Sequence, residues 1–103
     1  MSQDIERYPL KTKDIAHRVL GDEAMVANLS QSSFYNLNSV GTVIWEHCDG
    51  RHSIREIAEA LAAEYPVSLQ EALQDCLQFV TELVEEGLLS WSNVPIDQAG
   101  KEG

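Results

Sequence analysis

His47, Cys48 and His52 crowd the Asp49-Gly50 turn, and imidazole beside thiol is the donor set of a zinc site. A closed tetrahedral site needs a fourth ligand and a recognised spacing. The only other thiol is Cys76, and the pattern matches no standard zinc motif. Cys48 therefore reads as a core residue, His52 as a solvated turn residue, and His17 as part of a strand surface. Paired carboxylates are plentiful, but at i and i+4 in an acidic chain they mark solvated helix faces, and none stands out as a general acid or base. There is no Gly-x-Gly-x-x-Gly, no phosphate loop, and no serine or cysteine with activating neighbours. The chain reads as a non-enzyme with neither metal nor cofactor.

The carboxylates carry a second message. Seventeen acidic residues against seven basic give a formal charge of −10 over 103 residues. Glu71, Asp75, Gln78, Glu82, Glu85 and Glu86 share one helix face, and no Lys or Arg lies between Leu69 and Gly87. Such a face repels phosphates instead of releasing their counterions, and the densest cationic stretch is only Lys11 with Lys13. Nucleic acid and acidic lipid are poor partners. No run approaches the ~20 apolar residues of a spanning helix, so no membrane segment is expected. Two cysteines without a secretory leader fit a reduced, cytoplasmic protein, and the length allows one small domain.

The elements that must position these groups are marked by turns and caps. Residues 1–14 carry Pro9 and mixed charge without a period, and read as an N-terminal arm. Ile15–Leu20 alternates as a strand, Gly21-Asp22 suits a two-residue hairpin turn, and Glu23–Leu29 returns antiparallel. Ser30-Gln31-Ser32 turns again into Ser33–Leu37, rich in strand-forming aromatics. Asn38 can cap a helix in which Val40, Ile44 and Cys48 recur at helical spacing, with Gly50 ending it. Ser53-Ile54-Arg55-Glu56 is a capping box for a second helix, stopped by Tyr65-Pro66; Ser68-Leu69-Gln70-Glu71 opens a third, closed by Gly87. Leu88–Trp91 reads as a short strand or extended segment, and residues 92–103 as a flexible tail. The fold class is α+β and winged helix-turn-helix-like: a three-stranded antiparallel meander followed by three helices, over 15–91.

On the third helix Leu69, Ala72, Leu73, Cys76, Leu77, Phe79, Val80, Leu83 and Val84 spread over roughly 160° at about 100° per residue. That arc fits either a helix central to the domain or one whose edge, near Phe79 and Ala72, lines an open groove. Three strands cannot close on themselves, so one edge of the meander is left as a template for an extended peptide, unless the arm or tail covers it. A free edge can also pair with a second copy of the chain.

The run Phe34-Tyr35-Asn36-Leu37-Asn38-Ser39-Val40-Gly41-Thr42-Val43-Ile44-Trp45-Glu46, with Asp49-Gly50, Ser53-Ile54-Arg55-Glu56-Ile57, Asp75-Cys76, Phe79-Val80, Leu83 and Glu86-Gly87-Leu88-Leu89, resembles the pyrroloquinoline quinone synthesis protein D (PqqD) family. The resemblance spans about Ile15 to Trp91. It implies a non-catalytic recognition element for ribosomally made, post-translationally modified peptides (RiPPs). In that family the leader of a precursor adds as a strand beside the third strand and packs on the third helix, and a separate enzyme, often a radical S-adenosylmethionine protein, modifies the core; a leader peptidase is another such partner. Carried onto this chain, the peptide-binding residues are Ser33, Phe34, Tyr35, Asn36 and Leu37 through their backbone, Ala72, Cys76, Phe79 and Leu83 as apolar pockets, and Asp75 and Glu82 as selectors of a leader cation. Asn38, Gly41 and Trp45 are expected to hold the strand-to-helix junction. Where many members read Asp-Val-x-x-Phe-Leu, this chain has Asp75-Cys76 and Phe79-Val80, so the product class, quinone cofactor, lasso peptide or other, stays open. The alternative from another class is a winged-helix regulator or an acidic protein–protein scaffold.

Overall fold

Short-range turn and cap signals set most of the architecture, and contacts between distant residues set the rest. The computed structural model describes residues 5–96 and runs β1 (Tyr8–Lys11), β2 (Ile15–Leu20), β3 (Glu23–Asn28), β4 (Ser33–Leu37), α1 (Ser39–Glu46), α2 (Ile54–Glu64), α3 (Leu69–Glu85) and β5 (Leu89–Ser92). β2, β3 and β4 form the expected antiparallel meander. Gly21 takes φ +68°, a conformation cheap only for glycine, so that Leu20 pairs directly with Glu23 across a two-residue turn.

The second turn is longer than the sequence indicates, because the strand ends at Asn28 and Leu29 joins the loop. Asn28 explains this. Its buried Oδ1 accepts from Ser30 N, Ser30 Oγ and Gln31 N, folding the chain back on itself as an Asx-type turn, while Nδ2 donates to Gly87 O at 2.6 Å. One side chain thus shapes the hairpin carrying β4 and ties it to the end of α3.

Both capping boxes form as read: Ser53 with Glu56 on α2, and Ser68 with Glu71 on α3. Asn38 caps α1 by accepting from Gly41 N at 2.8 Å. That helix, however, stops at Glu46, before Gly50. His47 N and Cys48 N donate three residues back, to Ile44 O and Trp45 O, tightening the last turn. Lys11 Nζ then donates to Trp45 O at 2.9 Å and Cys48 O at 3.2 Å, placing a cation on the helix's carbonyl end. Burial holds the Lys11 ammonium below its usual range.

Lys11 reaches α1 because the arm is a strand. β1 pairs antiparallel with β5, from Tyr8 opposite Ser92 to Lys11 opposite Leu89, in a separate two-stranded sheet. The α1–α2 link is stitched onto it through Gly50 N to Pro9 O (2.8 Å) and Ile54 N to Arg7 O (3.1 Å). Beyond β5 the chain docks again, Ile96 N donating to Gly50 O at 2.7 Å. The parts of the arm and tail readings that fall on residues 1–4 and 97–103 lie outside the described residues. The helices enclose one core with the inner face of the meander: Val26, Leu37, Ile44, Trp45, Ile57, Leu61, Val80, Leu83 and Leu89 are all buried.

Candidate functional site

Alternation along β4 decides what each of its residues can do. Ser33, Tyr35 and Leu37 face the helices; Phe34 and Asn36 point to the opposite face of the sheet. Leu37 enters the core, while Ser33 and Tyr35 stop at α3: Ser33 Oγ donates to Glu86 O at 3.3 Å and Tyr35 OH donates to Glu82 Oε1 at 3.0 Å. The bond to Glu82, with partial burial, raises the Tyr35 phenol above its ordinary pKa. Phe34, 68% exposed, lies beside the small Ala27 on the outer face.

β4 is an edge strand, bonded to β3 on one side. Among the described residues no backbone hydrogen bond from another element reaches its other side. Just past its end, between the first turns of α1 and the middle of α3, lies a cavity of about 240 Å³. Gly41 and Ile44 are its buried floor and Val40 and Phe79 its apolar walls; Asn38, Asp75, Gln78 and Glu82 form an exposed polar rim. Gly41 leaves room for the ring: a Cβ on it would sit 3.1 Å from Phe79, which would have to give by a few tenths of an ångström.

The structure separates the residues assigned to the apolar pocket. Phe79 lines the cavity, with Asp75 and Glu82 at its mouth. Ala72, Cys76 and Leu83 do not: each is 0% exposed and packs into the core, so none presents a surface to a ligand. The wide apolar arc of α3 arises because the helix is central, with α2 on one flank and the meander and β5 on others. Asn38 and Gly41 hold the strand-to-helix junction as expected and also line the cavity; their position between the strand edge and the third helix is the signal that could have placed them there. Trp45 is 2% exposed, inside the core.

The histidine and cysteine cluster is internally occupied. Cys48 Sγ is buried and donates to Ile44 O, His47 Nδ1 meets Val43 O at 2.8 Å, and His52 Nδ1 meets Asp49 at 3.0 Å. Burial pushes both Cys48 and Cys76 up to about 12, so neither thiol ionises readily for ligation or nucleophilic attack. Burial alone would raise Asp49, but hydrogen bonds from Arg51 N and His52 outweigh it and hold the carboxyl low. Among the described residues no three His, Cys, Asp or Glu side chains gather as a metal site requires, and no helix is long and apolar enough to cross a membrane.

Comparison with known proteins places this geometry. The family model of Coenzyme PQQ synthesis protein D (PqqD) matches residues 23–89, from the start of β3 to the start of β5. No curated protein sequence matches the chain. Among solved structures, TbiB1 in complex with the TbiA(beta) leader peptide superposes with a TM-score of 0.73 at 25% identity, over 79% of this chain and 94% of that one. Lasso peptide synthetase B1 complexed with the leader peptide superposes at 0.72 with 22% identity, over 80% of this chain and 96% of the other.

Proposed function

The chain belongs to the PqqD family, and we propose that it is a non-catalytic adaptor that captures the leader of a ribosomally made precursor by strand addition to β4 and presents the precursor to a separate modifying enzyme. The observation that carries this reading is the unpaired edge of Ser33–Leu37 running into a cavity walled by Phe79 of α3. A sheet edge supplies backbone hydrogen bonds that are indifferent to leader sequence, and a neighbouring pocket supplies side-chain selectivity; together they are the two requirements of β-augmentation. The similar structure of TbiB1, which is in complex with a leader peptide, supports a leader as the ligand.

Each group has a task in this scheme. The backbone of Ser33–Leu37 extends the meander by one strand. Phe34 covers the outward-facing side chains of the added strand, and Tyr35 and α3 meet the inward-facing ones. Asn28 and Ser33 fix the hairpin relative to α3, so the edge and the cavity keep their spacing. The modifying chemistry belongs to the partner enzyme.

The test is fluorescence anisotropy with labelled leader peptides from short reading frames encoded beside the gene, each compared with two copies carrying backbone N-methyl groups, one at the odd and one at the even residues. Strand addition predicts micromolar or tighter binding that one of the two N-methyl copies loses, the one whose methyl groups face β4. Equal binding of the parent and both copies would rule out pairing through the backbone and overturn the reading.

A further inference from the structure

The meander is wider than the helix it covers. His17 and Val19 of β2 pair with Val26 and Ala24 of β3, so all four side chains lie on the helix-facing side of the sheet. Val26 and Ala24 are buried there, whereas His17 and Val19 stay exposed. Between this overhang and α1 lies a cavity of about 150 Å³, at the opposite edge of the meander from β4. His17 and Val19 form one wall, Thr42, Trp45 and Glu46 another, and Lys11 of β1 shares the lining.

The residues of this lining bring more donors than acceptors. An ammonium carries three N–H groups, and Lys11 uses two, on Trp45 O and Cys48 O. Both partners are neutral carbonyls, and among the described residues no ion pair reaches Lys11, not even from Glu46 in the same lining. The indole N–H of Trp45 is buried and meets no acceptor among the described residues. A charge withdrawn from water normally has a counter-charge, and here a helix end supplies only carbonyls. The distribution of cations agrees. In a chain of net charge −10, Lys11, Lys13 and Arg18, three of its seven Lys and Arg, sit on β1, β2 and the turn between them.

We propose that this cavity binds a carboxylate on a short aliphatic body, with the body against Val19 and the Trp45 ring and one oxygen accepting from Lys11. The volume sets the size: a cavity of about 150 Å³ takes a molecule as large as benzene, which matches butyrate or the side chain of a glutamate. The site stands apart from the strand-addition reading. It lies at the other edge of the meander, so a carboxylate there and a leader on β4 do not compete for space.

The test titrates the full chain with butyrate and with butyramide, its uncharged counterpart, and follows the amides of His17, Val19, Thr42 and Glu46 and the Trp45 indole N–H by NMR. Butyrate is expected to give saturable shifts at these positions with a millimolar Kd that weakens with added salt, and butyramide to bind about tenfold more weakly. Lys11→Met should abolish that preference. Because Lys11 also caps α1, two exposed positions supply a check that leaves the cap in place. Glu46→Gln should tighten butyrate binding about threefold and His17→Glu should weaken it about threefold, whereas Glu59→Gln on α2 should change nothing. Two short peptides that differ only in a central Glu or Gln identify the source of the carboxylate. Shifts of the same amides by the Glu peptide alone assign the site to an acidic side chain of a partner, and shifts by butyrate without either peptide assign it to a free acid. Equal binding of butyrate and butyramide would overturn the proposal, as would a butyrate affinity indifferent to both Glu46→Gln and His17→Glu, or no saturable shift at these positions. None of these results bears on leader binding at β4.

Discussion

The two edges of the meander offer the same backbone groups and differ in everything around them. β2 is exposed along nearly its whole length, carries His17 and Arg18, and borders only a smaller cavity of about 150 Å³ that His17 and Val19 share with Lys11 and with Thr42, Trp45 and Glu46 of α1. Basic side chains of this kind blunt an edge against unwanted pairing. β4 has no charge, is fastened to α3 through Ser33 and Tyr35, and opens into a cavity. An unpaired edge is therefore a generic feature, and the helix beside it makes one edge a candidate site.

The largest break in this comparison should come from Phe79→Asp. It places a third carboxylate between Asp75 and Glu82 in an apolar wall, and should weaken leader binding by about 2–3 kcal/mol, roughly a hundredfold. Val19→Asp on β2 should leave binding as it is. Anisotropy titrations of both variants, with circular dichroism to confirm the fold, make the check. Next, Asn28→Ala leaves the Ser30 and Gln31 N–H groups without their acceptor and Gly87 O with the Thr12 hydroxyl in place of two donors, and should cost about 2 kcal/mol of stability in denaturant unfolding. Gly41→Ala is smaller in effect. The added methyl pushes Phe79 into the cavity, so leader affinity should fall about threefold, a loss of the size of a minor packing change, with the melting temperature almost unchanged.

The smallest effect concerns Tyr35. Its folded pKa lies above the ordinary value of 10.0 because the neutral phenol donates to Glu82. The stabilisation it gives is fully present below that unfolded value and is lost as pH rises through the folded one. Glu82→Gln removes the charge that favours the neutral phenol, so in ultraviolet absorbance titration the Tyr35 transition should move down toward the ordinary range. The alkaline loss of stability linked to it should shrink accordingly.

Local signals carried the sequence reading a long way. Gly21-Asp22, the boxes Ser53-Ile54-Arg55-Glu56 and Ser68-Leu69-Gln70-Glu71, and Asn38 each act within four residues, and each forms the turn or cap its chemistry dictates. Signals between distant residues were not legible. The pairing of Tyr8 with Ser92, the capping of α1 by Lys11 and the bond from Asn28 to Gly87 join segments with no shared period or motif. The same limit governed the site. Alternation in Ser33–Leu37 shows that two faces exist, and the arc on α3 shows an apolar side. Neither says that Ala72, Cys76 and Leu83 are covered while Phe79 is left at the surface, because that depends on how β4, α1 and α2 pack around the helix. Asn28 was readable in part, since Asn followed two residues later by Ser is an Asx-turn signature.

The central claim is that the leader joins the sheet at β4. Its most direct measurement is a backbone amide NMR titration with leader peptides encoded beside the gene, following Ser33–Leu37 and Asp75–Glu82 against Ile15–Leu20. Strand addition predicts concerted, saturable shifts in the first two segments, with β2 unmoved. Shifts confined to Ile15–Leu20, or saturable binding that leaves Ser33–Leu37 unmoved, would contradict it.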